Sequence, residues 1–430
     1  MKKLTLSLLI LLLIANACVS QAIQPSEDEA PFDKDSIQTG KADYNPNPQY
    51  APEEQEQLVQ GHNQFALELY KLLAATKENL VYSPYSLYQA LAMVYAGARG
   101  ETASQFEDVL HLTATNPQVH NLMNGLNLML TRKNEALTEE EHAVLQVANA
   151  MWVQKDVELL PEYLDLLSEN YAAGLRSLDF ADAQNAAELI NQWAAENTNE
   201  KITDIASPDM FNADVNLALT NAVYFKGSWL HPFDEMITSQ ENFTKLDGSV
   251  LEVPTMRKTE TFIAFQNEAY QVVRLPYSGS DIVMDLVAPT DDNWNDFINN
   301  LSAESLHSYL SELQPRNVSL SLPKFRIETP NMDMIANLGE LGLLDLFGMD
   351  ANLSGINGKQ DLYVSTLVQK AFIDVDENGT EAAATTLAVM MAKGMLSPEP
   401  LELRFDRPFL FVIRDTNTDT ILFIGHVMQP

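Results

Sequence analysis

Asp374, Asp376, Asn378 and Gly379 stand at positions 1, 3, 5 and 6 of a calcium-loop pattern. Such a loop needs a bidentate glutamate at position 12 and a helix on either side. Position 12 is Thr385, and the preceding run Tyr363–Ile373 is rich in β-branched and aromatic residues, a strand signal. Calcium is therefore not expected, nor is any other metal or cofactor. The seven histidines (His62, His111, His120, His142, His231, His307 and His426) form no His-Glu-x-x-His. There is no Gly-x-Ser-x-Gly elbow, no Walker loop and no Gly-x-Gly-x-x-Gly. The single cysteine, Cys18, lies outside the globular part, which excludes thiol catalysis within the fold. A Ser-His-Asp triad built from distant residues is recognisable only by geometry, and nothing in the sequence points to one. The chain is not expected to be an enzyme.

What the Glu377–Thr386 segment offers is conformational. Gly379 permits a backbone turn that other residues resist. The residues after it are mostly small: Thr380, Ala382, Ala383, Ala384, Thr385 and Thr386, with Glu381 the one charge. Small side chains can be threaded into a packed sheet without clashing with either face. The segment reads as a strand in waiting.

The elements that would receive it follow from hydrophobic patterning. Apolar spacing near 3.6 predicts helices over Gln57–Ala74, Pro84–Ala96 and Ala183–Asn197. Strand patterns dominate later, over Leu217–Lys226, Val318–Ile327, Leu362–Asp374 and Phe409–Ile413. Helices first and strands later indicate an α+β fold. The chain has 430 residues, 46% hydrophobic content and a formal charge of −34, enough for a full core and repulsive to phosphate backbones. No nucleic-acid partner is expected.

Residues 1–17 read as a signal peptide: Lys2-Lys3, an apolar run from Leu4 to Ala15, and a small-residue cleavage site at Ala15-Asn16-Ala17. Cys18 would then be the first mature residue, a placement that resembles bacterial lipoproteins and implies membrane attachment through a lipid. Val19 follows in place of the inner-membrane retention residue Asp. The expected location is the outer membrane or cell surface, otherwise periplasmic or extracellular. Residues 18–55 are acidic and contain Pro25, Pro31, Pro46, Pro48 and Pro52, a composition that predicts a flexible tether. Residues 56–430 read as one globular domain, expected to be monomeric.

Several segments of that domain resemble one family in order. Asn79–Thr102, Thr220–Trp229, Leu275-Pro-Tyr277, Leu322–Phe325, Leu341–Phe347, Asn352–Ile356 and Phe405–Phe411 are similar to successive motifs of the serpins. The resemblance implies three β-sheets with eight or nine helices and an exposed reactive-centre loop. It also implies a metastable state in which a protease-cut loop inserts into the largest sheet. On this basis the hinge comprises Glu377, Gly379, Thr380, Glu381, Ala382, Ala383, Ala384 and Thr385. Ser83, Ser86, Asn221 and Gln369 match the shutter beneath the sheet, with Gln369 where the family usually has His. Trp229 matches the residue near the top of the sheet where insertion begins. Counting fourteen residues on from Gly379 places the reactive bond at Lys393–Gly394, and lysine suits a trypsin-like pocket. The partner implied is a serine protease, held covalently. The alternatives are a non-inhibitory binding member, or a bond shifted towards Met391 or Met395 and directed at chymotrypsin-, elastase- or subtilisin-like enzymes.

Overall fold

The computed structural model describes residues 37–75, 78–131, 144–291, 293–380 and 399–430. Leu58, Val59, His62, Phe65, Ala66, Leu69 and Tyr70 form one buried stripe of helix α1 (Pro52–Leu73). The helix starts at Pro52, ahead of the expected Gln57. Proline presets φ at its first position, and the Glu54 carboxylate accepts from the Ala51 amide at 3.1 Å. Helix α2 (Pro84–Tyr95) begins the same way, with Ser83 Oγ accepting from the Ser86 amide at 3.2 Å. Helices α3 (Asn116–Leu130), α4 (Pro161–Tyr171) and α5 (Ala183–Asn197) complete the set used below. Ten α-helical segments occur among the described residues, the last a single turn at Ser354–Asn357.

One sheet contains β1 (Ile37–Gln38), β2 (Val144–Gln154), β3 (Leu175–Leu178), β4 (Leu217–Ser228), β5 (Phe325–Glu328), β6 (Met332–Asp333), β7 (Val364–Asp376) and β8 (Gly379–Thr380). Their spatial order is β1-β3-β2-β4-β8-β7-β5, with β6 also pairing β7. The remaining nine strands form a second hydrogen-bonded network. Strand Val250–Gln266 belongs to two parts of it, pairing with Gln314–Pro323 along most of its length and with Tyr270–Pro276 at its end. The second and third sheets expected from the sequence are thus joined through one long strand.

The run predicted as a single strand over Val318–Ile327 breaks at Lys324. Gln314–Pro323 lies in the second network, Phe325–Glu328 in the first. Helix α5 packs across the front of the first sheet, where Ala148, Ala150, Ala218, Ala222 and Val368 offer small side chains and Trp193 meets Trp152 edge-on at 5.5 Å.

The expected tether is shorter than its composition suggests. From Ile37 onward the chain is docked: Ile37 and Gln38 pair with Arg176 and Leu175, and helix α1 has already begun at Pro52. Residues 37–55 hold few large apolar groups, yet their backbone finds partners on α3 and α4, which composition alone cannot disclose.

Candidate functional site

Strands β4 and β7 run parallel and pair directly from Val364↔Leu217 to Phe372↔Tyr224. Above that level they diverge. Chain reversal at Glu377–Asn378 brings β8 back between them, antiparallel to both: Thr380 opposes Val375 of β7 and Gly227 of β4. The fork accepts only glycine at its mouth. Gly379 has φ +146°, and a Cβ there would lie 2.1 Å from the Gly227 carbonyl oxygen. Thr380 is fully buried, and its hydroxyl meets the Tyr277 hydroxyl at 2.7 Å. Burial pushes the Tyr277 phenol up, and the Thr380 contact offsets this in part.

Trp229 closes the top of the fork. Its ring stacks on Tyr277 at 4.6 Å, its indole N–H donates to the Asp376 carbonyl at 3.0 Å, and its amide donates to the Asn378 carbonyl at 2.9 Å. The Glu377 side chain is held from two sides. Lys324 Nζ donates to one carboxylate oxygen and the Thr238 hydroxyl to the other, both at 2.7 Å. Burial alone would raise this carboxyl, but the bonds from Lys324 and Thr238 outweigh it and hold it below the usual glutamate range. The strand break at Lys324 is what aims that amine at the hinge.

Lower in the sheet, Asn149, Asn221 and Gln369 lie in one row across β2, β4 and β7. The N-terminus of α2 sits beneath them. Gln369 Nε2 donates to the Ser83 carbonyl at 3.0 Å and also to Asn221 Oδ1, while Gln369 Oε1 accepts from the Ser83 amide at 3.0 Å. Asn221 Nδ2 donates to Ser86 Oγ and Asn149 Oδ1. An amide side chain both donates and accepts, so Gln369 makes the cross-seam link expected of the family's His. Replacing it with Leu would orphan the Ser83 amide and Asn221 Oδ1 in a buried site. At about 1–3 kcal/mol for each group, the thermal midpoint of the uncut protein is expected to fall by roughly 5 °C or more. An unchanged midpoint in scanning calorimetry would show that this row does not hold the seam.

The structure therefore brings together Glu377, Gly379, Thr380 and Trp229 at the fork, and Ser83, Ser86, Asn221 and Gln369 at the row below. Glu381, Ala382, Ala383, Ala384, Thr385, Lys393 and Gly394 lie outside the described residues, as does Cys18. Four contributors were not singled out from sequence: Asn149, Thr238, Lys324 and Tyr277. Asn149 carried a signal as a polar side chain within an apolar strand, while Tyr277 and Lys324 lay inside serpin-like motifs that did not disclose their contacts. Asp374 and Asp376, the first calcium positions, belong to regular strand β7, where Asp374 opposes Arg326 in register.

Residues 60–430 match the model of the family described as serpin, serine protease inhibitor. An uncharacterised serpin-like protein of Thermococcus kodakarensis is 35% identical, covering 100% of this chain and 99% of its own length. The leukocyte elastase inhibitor of Sus scrofa is 34% identical, covering 87% of this chain and 100% of its own. The crystal structure of Serpin48 from the insect Tenebrio molitor superposes with a TM-score of 0.78 at 30% identity, covering 89% of this chain and 100% of that one. With the family model matched over nearly the whole globular part and these relatives similar along their full length, the chain belongs to the serpin family.

Proposed function

We propose that this serpin is a suicide inhibitor of serine proteases with a trypsin-like preference. One observation carries the reading: β8 is already the first two residues of an extra strand, seated between β4 and β7 and antiparallel to both. Continuing that strand would replace the parallel β4–β7 pairing with two antiparallel ladders. Antiparallel pairing is slightly the more stable per residue, and two ladders would stand where one stood. In the uncut chain the loop is tethered at both ends. The protease serine attacks the Lys393 carbonyl, the Gly394 amine leaves, and the enzyme stays esterified to Lys393. The freed segment Thr380–Lys393 then extends β8 downward. At about 3.3 Å per residue, fourteen residues carry the ester roughly 45 Å, which drags and deforms the enzyme before water can release it.

Mixing with trypsin is expected to give a complex stable to denaturant, together with a C-terminal fragment whose first residue is Gly394. A fragment starting elsewhere would move the bond. The relative named for leukocyte elastase favours including elastase in the same panel, alongside chymotrypsin and subtilisin, because a bond at Met391 or Met395 would suit enzymes with apolar pockets. Complete cleavage by every protease with no covalent complex would overturn inhibition and leave the binding-module reading.

A further inference from the structure

Residues 37–50 precede the stretch that matches the family model, which begins at residue 60. They nevertheless run across three elements as a strap. Ile37 and Gln38 add a strand to the outer edge of β3. The chain then crosses α4 closely enough that a Cβ on Gly40 would lie 2.5 Å from the Asp165 backbone. There the Asp165 carboxylate accepts from the Lys41 amide at 2.5 Å and the Ala42 amide at 3.1 Å, and Ser168 Oγ accepts from the Gly40 amide at 2.9 Å. On α3, the Tyr44 hydroxyl donates to Asn124 Oδ1 at 2.6 Å, Asn124 Nδ2 donates to the Asn45 carbonyl at 2.8 Å, and Asn121 Nδ2 donates to the Gln49 carbonyl at 2.8 Å. Tyr50 fills the space a Cβ on Gly125 would need, and the next residue, Ala51, opens α1.

Opening between β4 and β7 would divide the first sheet into one half holding β1, β3, β2 and β4 and another holding β7, β5 and β6. The strap grips the outermost strand of the first half. Its other end is continuous with α1, which packs on strand Ile421–Val427 of the second network. We propose that the strap is a brace: it ties the movable half of the sheet to the body and slows opening of the β4–β7 seam while no protease is attached. None of its residues is fully buried. It is held by backbone amides and carbonyls bonded to side chains of α3 and α4, so it can be released without dismantling the core.

The inference rests on insertion at the β4–β7 seam, and the experiment separates the two. Hydrogen exchange is followed in the full chain and in Gly40→Val, whose side chain has no room against α4. Amides of Leu217–Tyr224 and Val364–Phe372 are expected to exchange roughly tenfold faster or more in the variant, while strand Ile282–Pro289 is unaffected. Faster exchange confined to residues 37–50, α4 and β3 would overturn the brace. Loss of protection in Ile282–Pro289 would mean that Gly40→Val is unfolded. Asp165→Asn, which weakens the same attachment without adding volume, then gives the same two outcomes. The insertion reading is tested in the unmutated chain: if cutting the loop leaves seam protection unchanged, insertion itself fails, whatever the strap does.

Discussion

Cleavage within the reactive loop is expected to raise the thermal midpoint by on the order of 20 °C. Ten or more backbone groups would gain sheet partners, each bond contributing about 1 kcal/mol net, so the cut form would be more stable by roughly 10 kcal/mol. Burial of alternate small side chains adds to this. The starting point makes the gain specific to one place: β4 and β7 already splay above Tyr224 and Phe372, and Thr380 sits in the opening. Scanning calorimetry of protein cut by trypsin and of intact protein provides the measurement. Coinciding midpoints would show that the segment after Thr380 stays out of the sheet, and the chain would then be a serpin that binds without trapping.

The parts of this site that the sequence disclosed are those that depend on residue type at one position. Gly379 was readable because only glycine tolerates its backbone, and Gln369 because the serpin resemblance puts it where the family usually has His. Helix α5 was readable to the residue, its period running unbroken from Ala183 to Asn197. What escaped depends on contacts between residues far apart in the chain. Lys324 looked like one position in a continuous strand, whereas the strand changes sheets there and turns the amine onto Glu377. Thr238 lies in a segment with no pattern at all, and Tyr277 belonged to a recognisable motif without disclosing that its hydroxyl would cap Thr380. The strap failed for a related reason. Composition measures what a segment can bury, and residues 37–50 bury little; they are ordered by hydrogen bonds to Asp165, Asn124 and Asn121, a kind of partner that hydropathy does not register.

Thr380→Arg is expected to turn the inhibitor into a substrate. The site is already occupied in the uncut molecule: Thr380 is fully buried between β4 and β7, with its hydroxyl on Tyr277. The carboxylate at the fork, that of Glu377, is already bonded to Lys324 and Thr238, so a guanidinium there would be buried without a carboxylate of its own, at a cost of several kcal/mol. The variant would escape that cost by withdrawing β8 from the fork, which removes the template on which insertion begins. If even 3 kcal/mol of the penalty appears in the insertion barrier, insertion slows by about a hundredfold. Deacylation depends on the protease and is unchanged, so the ester would be hydrolysed before the enzyme is displaced. Denaturing gels should then show cleaved protein and free trypsin where the parent chain gives a covalent complex. Thr380→Ser, which keeps the hydroxyl on Tyr277, should trap almost as well as the parent and shows that the effect belongs to the buried charge. Covalent complex formed by Thr380→Arg at the parental stoichiometry would mean that the fork plays no part in starting insertion.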